Sequence, residues 1–90
     1  MLKKIYKMSA VWCMPCKTYA PIFEGVGAME KYRDIEFKEF DADDDEELFE
    51  KFNIRAVPTT IFLNENDEEI ARVNGLITKE NLIAKIDELR

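Results

Sequence analysis

The chain has 90 residues, 47% of them hydrophobic and 36% charged, which predicts one domain over residues 1–90 and excludes an enzyme with separate cofactor and substrate domains. It has no histidine, which excludes Ser/His/Asp and Cys/His catalysis. Its net charge of −6 has the wrong sign for nucleic acid or anionic lipid as a main partner. No apolar run is long enough to span a membrane, and Lys7 interrupts the apolar N-terminal stretch, so we expect a cytoplasmic protein; its small size and acidic surface are compatible with a monomer.

The first half of the chain predicts a strand, a bent helix and a second strand. Alternating side chains over Leu2–Ser9 are typical of a strand. Apolar residues at helical spacing predict a helix over residues 15–32, which Pro21 should bend. Alternation returns over residues 35–41 and predicts the second strand.

The second half predicts an acidic helix, a hairpin and a last helix. Consecutive acidic residues at 43–47 stand where a helix N-terminus favours negative charge. We interpret this run as a solvated helix start and not as a metal site, because it lacks the glycine and the spaced glutamate of a calcium loop. Strands are predicted over residues 59–63 and 69–73 around a turn, and Thr78 should cap the last helix.

These elements follow the order β-α-β-α-β-β-α. Right-handed crossovers would make the first two strands parallel neighbours, and the hairpin would add antiparallel strands. We therefore predict an α/β fold with a four-stranded mixed sheet and helices on both of its faces.

Both cysteines stand where the first strand meets the first helix, in the segment Trp12-Cys13-Met14-Pro15-Cys16-Lys17. Two cysteines with this spacing can approach bonding distance at a helix N-terminus, where free N–H groups and the helix dipole favour the thiolate of the first. Cys13 is thus the predicted nucleophile, and Cys16 would attack the mixed disulfide that Cys13 forms. A zinc site, which would need carboxylates or a second chain, and an inert structural disulfide are the alternatives.

This motif and two later segments resemble the thioredoxin family, and the resemblance covers nearly the whole chain. The cysteine motif is similar to the family's Trp-Cys-Gly-Pro-Cys-Lys, with Met14 in place of the glycine. A second segment, Asn53-Ile54-Arg55-Ala56-Val57-Pro58-Thr59, looks like the family's Gly-Ile/Val-Arg-x-Ile/Val-Pro-Thr. A third, Val73-Asn74-Gly75, resembles the loop that completes the family's substrate groove.

The resemblance implies a thioredoxin-like fold and a thiol–disulfide oxidoreductase that reduces protein disulfides, a redox carrier in electron transport and cell redox homeostasis. It implies a redox-active disulfide between Cys13 and Cys16, no bound cofactor, and recharging by an NADPH-dependent thioredoxin reductase. Pro58 would be cis and face the cysteine pair, which would let the backbone of Val57 pair with an extended substrate. The substrate-binding positions so implied are Trp12, Met14, Pro15, Val57, Asn74 and Gly75.

The chain departs from full-length thioredoxins at its N-terminus. Those proteins begin with an extra strand and helix, whereas this chain reaches its first cysteine at position 13 and has the minimal core also seen in glutaredoxins. A glutaredoxin-like reductase that uses glutathione is therefore one alternative, although the chain has neither the Cys-Pro-Tyr-Cys order nor a Gly-Gly-x-x-Asp element. The other alternative is a non-catalytic thioredoxin-fold subunit that binds a partner through Trp12, Val57 and Gly75.

A second departure exchanges two charges beneath the cysteines. Thioredoxins usually carry a buried aspartate six residues before the first cysteine and often a lysine in the neighbouring strand, whereas this chain has Lys7 and Glu39 at those places. Strand alternation directs both side chains inward. We hypothesise that they pair, with Glu39 as proton acceptor for Cys16 and Lys7 favouring the thiolates. In the alternative, Lys7 extends to solvent and Glu39 lies at a strand end.

Overall fold

The computed structural model describes all 90 residues and contains the predicted elements in the predicted order. The elements are β1 (Leu2–Ser9), α1 (Met14–Gly27), a 3-10 turn (Glu30–Tyr32), β2 (Glu36–Asp41), α2 (Glu46–Lys51), β3 (Thr59–Asn64), β4 (Glu69–Asn74) and α3 (Lys79–Leu89). Thr78 caps α3 as predicted, because its side chain accepts a hydrogen bond from the N–H of Asn81. No helix is long and apolar enough to cross a membrane.

The four strands form one mixed sheet with the order β2-β1-β3-β4. β1 pairs in parallel with β2 and antiparallel with β3, and β3 forms an antiparallel hairpin with β4. β1 is therefore a central strand, and the cysteines follow its C-terminal end. This register places Lys7 between Glu39 on β2 and Thr60 on β3.

Helices cover both faces of the sheet, which confirms the predicted layers. On one face, α1 and α3 pack against Ile5 and Phe62. On the other face, α2 packs against Met8 and Ile61. The alternation of Phe62 and Ile61 on β3 thus buries successive side chains in two separate clusters.

The prediction of one helix over residues 15–32 is wrong at its C-terminal end. α1 ends at Gly27, the N–H of Ala28 bonds to the carbonyl of Glu24 at 3.0 Å, and Met29 is extended before the 3-10 turn begins. Gly25 and Gly27 are weak helix formers, so the apolar spacing beyond them does not extend the helix.

The 3-10 turn is fixed to α3 by a hydrogen bond between side chains. The Tyr32 hydroxyl donates to Oδ1 of Asp87 at 2.7 Å, and Lys31 lies 3.2 Å from Oδ2 of the same carboxylate. The pKa of Asp87 lies below its usual range, mainly because of the hydrogen bond from Tyr32 and to a smaller extent because of the contact with Lys31.

The acidic run begins before its helix and not within it. α2 begins at Glu46, so the aspartates at 43–45 form the preceding turn. There the Asp45 carboxylate accepts a hydrogen bond from the N–H of Asp41 at 3.1 Å, and the Asp41 carboxylate accepts one from Asp43 at 2.9 Å. These aspartates therefore satisfy the backbone of the turn, as aspartates often do.

The two glycines of α1 are expected to differ when each is replaced by alanine. A Cβ at Gly25 would meet no atom within 4 Å, whereas a Cβ at Gly27 would lie 3.0 Å from the ring of Phe37. Gly25→Ala should raise the free energy of unfolding by about 0.5–1 kcal/mol through helix propensity. Gly27→Ala should leave the free energy of unfolding unchanged, because crowding of the new Cβ against Phe37 offsets the gain in helix propensity. Urea unfolding of both variants tests this, and equal gains would contradict it.

Candidate active site

Cys13 and Cys16 form a disulfide at the N-terminus of α1. Cys13 is the N-cap residue, and its Sγ accepts a hydrogen bond from the N–H of Cys16 at 3.2 Å. Pro15 occupies the first helical turn, where its missing N–H costs no helical hydrogen bond. Both cysteines are nearly buried, with exposures of 5% and 4%, whereas Lys17 is exposed. The free N–H groups of this turn favour a thiolate at Cys13 when the disulfide is reduced.

The loop before β3 and the loop after β4 lie at the same end of the sheet as the cysteine pair. The Val57–Pro58 peptide is cis, and the carbonyl oxygen of Val57 lies 3.7 Å from Sγ of Cys13. The carbonyl of Pro58 accepts a hydrogen bond from the N–H of Gly75 at 2.7 Å, and Gly75 has a φ of +90°. A glycine suits this backbone conformation. The Thr59 hydroxyl donates to the carbonyl of Ala56 at 2.7 Å and also lies 3.2 Å from Oδ1 of Asn74, so the two loops are in contact.

The backbone of Val57 is free to bind another chain. Neither its N–H nor its carbonyl takes part in a backbone hydrogen bond. An extended peptide that pairs with this residue would lie beside Cys13, because the two residues are already in contact. The structure thus places Val57 against Cys13, and Pro58 links Val57 to Gly75 in the loop after β4. That these residues and Asn74 bind substrate stays a prediction.

An apolar surface surrounds the buried sulfurs. Val11, Trp12 and Met14 are exposed by 69%, 66% and 68%, and we name these three side chains the apolar rim. Trp12 also lines a groove of about 400 Å³ with residues of the turn after β2, of α2 and of the loop before β3, namely Ala42, Phe49, Ile54, Arg55, Ala56 and Val57. The exposure of Val11 and the contribution of α2 to this groove were not predicted from the sequence. The position of Val11 next to Trp12 in a loop could have indicated this surface, because large apolar residues exposed together in a loop are typical of a binding site.

Lys7 and Glu39 form an ion pair beneath the site. Nζ of Lys7 lies 2.7 Å from Oε2 of Glu39, and the Lys7 side chain is almost fully buried while that of Glu39 is 52% exposed. Lys7 therefore does not extend to solvent. Glu39 is not buried as strand alternation indicated, because β2 is an edge strand of the sheet. The hydroxyl of Ser9 also donates to Oε2 of Glu39 at 3.1 Å, a contact the sequence did not indicate.

Glu39 of this ion pair and the second cysteine border one cavity. Cys16, Ser9 and Glu39 line the same space of about 450 Å³, together with the carboxylates of the turn before α2. The N–H of Val11 donates to Oδ2 of Asp41 at 3.0 Å, which ties the cysteine loop to the end of β2. Cys16 and Glu39 therefore border the same space without being in direct contact in the hydrogen-bond network.

Tyr19 is a fully buried titratable side chain of α1. Burial raises its pKa to about 12, although its hydrogen bond with the Thr60 hydroxyl, at 2.8 Å, acts in the opposite direction. Tyr19 therefore stays protonated at neutral pH and packs in the core. No group of three or more His, Cys, Asp or Glu side chains is placed to hold a metal ion.

Comparisons with known proteins agree with this geometry. The family model for thioredoxin matches residues 3–88. A thioredoxin H5 from Oryza sativa subsp. japonica is 39% identical over 85 residues, covering 94% of this chain and 60% of the rice protein. A thioredoxin from Pongo abelii is 33% identical, covering 94% of this chain and 77% of that protein.

Solved structures give the same result for the fold. A thioredoxin from Nicotiana alata superimposes with a TM-score of 0.87 at 32% identity, covering 97% of this chain and 72% of that one. A thioredoxin from Fasciola hepatica superimposes with a TM-score of 0.86 at 28% identity, covering 97% and 80%. The predicted thioredoxin-like fold is thereby confirmed, and the chain belongs to the thioredoxin family.

Proposed function

We propose that this chain is a thiol–disulfide oxidoreductase that reduces disulfides of other proteins. The observation that carries the proposal is the Cys13–Cys16 disulfide at the N-terminus of α1, in contact with a Val57 carbonyl whose residue makes no backbone–backbone hydrogen bond. The thioredoxin family match supports the same chemistry. No observation favours the glutathione-dependent alternative or the non-catalytic subunit over this one.

The reaction begins with the reduced dithiol. The Cys13 thiolate attacks one sulfur of the substrate disulfide, a bond forms between the two sulfurs, and the other substrate sulfur leaves as a thiolate that takes up a proton. Cys16 then attacks Sγ of Cys13, which restores the Cys13–Cys16 disulfide and releases the second substrate sulfur. Two electrons pass to the substrate, and the exchange needs no bound cofactor because both electrons reside on sulfur.

Substrate binding is proposed to combine strand pairing with apolar contact. The N–H and carbonyl of Val57 would pair with an extended segment next to the substrate cysteine. The apolar rim would then cover the side chains on either side of that cysteine. A shallow surface of this kind suits a protein disulfide better than a small metabolite, which needs a deeper pocket.

The Lys7–Glu39 ion pair is proposed to assist the second step. Glu39 would accept the Cys16 proton through the shared cavity, and the positive charge of Lys7 would favour the thiolates. Because Ser9 and Lys7 both bind Oε2 of Glu39, they would hold its carboxylate in place.

The donor of electrons is proposed to be an NADPH-dependent thioredoxin reductase. Each turnover leaves the Cys13–Cys16 disulfide, so a partner must return two electrons before the next one. A reducing compartment such as the cytosol would suit this cycle, because thiols are kept reduced there.

Coupled NADPH oxidation during reduction of a protein disulfide tests this function. Thioredoxin reductase is compared with glutathione plus glutathione reductase as the electron donor. Turnover with thioredoxin reductase alone is expected. Turnover only with glutathione would move the protein to the glutaredoxin alternative, and no turnover with either donor would favour the non-catalytic subunit.

A further inference from the structure

The most exposed sulfur-containing residue at the active site is Met14 and not a cysteine. Met14 is 68% exposed, whereas the sulfur-bearing residues on either side of it, Cys13 and Cys16, are 5% and 4% exposed. It is the first residue of α1 and part of the apolar rim. We propose that Met14 is an oxidation site, and that its sulfoxide weakens the binding of protein substrates at the cysteine pair. This inference rests on the proposed function.

The four methionines of the chain differ in solvent exposure. Met1 is 77% exposed, and its amino group lies 3.3 Å from Glu65, in the turn between β3 and β4. Met29 is half-buried, and Met8 is fully buried. Because oxidation of a thioether follows its accessibility, Met1 and Met14 should react first, Met29 later and Met8 last. Met1 thus supplies an internal control that is exposed but distant from the site.

The dithiol should react before the thioether. The Cys13 thiolate attacks one oxygen of a peroxide, the O–O bond breaks, and a sulfenic acid forms together with water or an alcohol. Cys16 then attacks this sulfur and expels water, which forms the Cys13–Cys16 disulfide. At that stage one peroxide has been reduced by two electrons, and neither cysteine retains a thiolate.

A second peroxide then finds Met14 as the accessible sulfur of the site. Its Sδ attacks a peroxide oxygen, an S–O bond forms and the O–O bond breaks, so the thioether loses two electrons and the peroxide becomes water or an alcohol. Sulfoxide at Met14 should therefore accumulate only after the disulfide has formed. The disulfide reports mild oxidation, and the sulfoxide reports an excess of oxidant.

The sulfoxide should act on docking and not on sulfur exchange. Its oxygen is a strong hydrogen-bond acceptor placed within the apolar rim, and a protein substrate that covers the rim would have to remove water from it. We expect kcat/KM for a protein disulfide to fall roughly fivefold, the size of effect typical of a contact near the centre of an interface. Exchange with a small aromatic disulfide, which does not cover the rim, should keep its rate.

Peptide mapping and kinetics after treatment with hydrogen peroxide test the proposal. The disulfide form is oxidised, freed of peroxide and then reduced, and every variant is compared with its own untreated sample. The parent is expected to carry sulfoxide at Met1 and Met14 and to lose roughly fivefold in kcat/KM for the protein disulfide. In Met14→Leu, which still oxidises at Met1, the treated and untreated samples should react alike. A methionine sulfoxide reductase should restore the treated parent.

Two results would overturn the proposal. One is a map in which Met29 oxidises as readily as Met14, and the other is a treated parent that keeps its full kcat/KM with the protein disulfide. Failure of the proposed function has a different signature, because the untreated parent would then fail to reduce the protein disulfide at all. The order of methionine oxidation can be read from the map in either case.

Discussion

Replacing Cys16 with serine is expected to stop the reaction at a covalent complex with the substrate. Cys13 keeps its position as N-cap and keeps the backbone N–H of residue 16, so its thiolate still attacks. A serine hydroxyl cannot displace the substrate sulfur at neutral pH, so turnover should fall by several orders of magnitude. Mass spectrometry without reductant should show one substrate chain joined to Cys13, and a thiol such as dithiothreitol should release it.

Cys13→Ser is the matched control for the trapping experiment. This variant lacks the thiol that lies 3.7 Å from the Val57 carbonyl and that the N-terminal turn of α1 activates. It should neither turn over nor form a complex, because Cys16 lies inside the helix and lacks the N-cap position that favours the thiolate of Cys13. Equal trapping by the two variants would show that the order of attack assigned to the cysteines is wrong.

The order of elements was accessible from the sequence because each element has a local cause. Alternation over Leu2–Ser9 predicts β1 with the bounds that the structure has. The cysteine motif next to that strand predicts where the sulfurs lie, because a strand that leads directly into a helix leaves little freedom at the junction. The prediction that the segment around Pro58 faces Cys13 came from its resemblance to a known family. No local sequence pattern would have placed that segment next to the cysteines.

The remaining features depend on contacts between distant parts of the chain. The close approach of Gly27 to Phe37 on β2, where an added Cβ would lie 3.0 Å from the ring, cannot be deduced from helical spacing. The exposure of Glu39 follows from the edge position of β2, which is a property of the whole sheet. The groove beside Trp12 is lined by four segments that are separate in sequence: the cysteine loop, the turn after β2, α2 and the loop before β3.

Replacing Glu39 is expected to lower the free energy of unfolding more than replacing Lys7. Glu39→Gln leaves the buried ammonium of Lys7 without a negative partner and should lower the free energy of unfolding by roughly 2 kcal/mol, less than for a fully buried pair because Glu39 is half exposed. Lys7→Met replaces the charge with an apolar chain of similar length, while Glu39 keeps water and the Ser9 hydroxyl. Its effect should therefore be below about 1 kcal/mol. Urea unfolding of both variants and of the double variant gives the coupling energy.

The same variants separate a role in proton transfer from a role in stability. Glu39→Gln should slow the attack of Cys16 on a mixed disulfide at Cys13 by about tenfold and flatten the pH dependence of that step. Lys7→Met retains the carboxylate and should keep the pH dependence. Glu36→Gln, on the same strand but paired with Lys38 at the surface, is the control for loss of a carboxylate. If Glu39→Gln lowers stability but leaves the second step unchanged, Glu39 serves only to hold Lys7, and the proton of Cys16 leaves directly to water in the cavity.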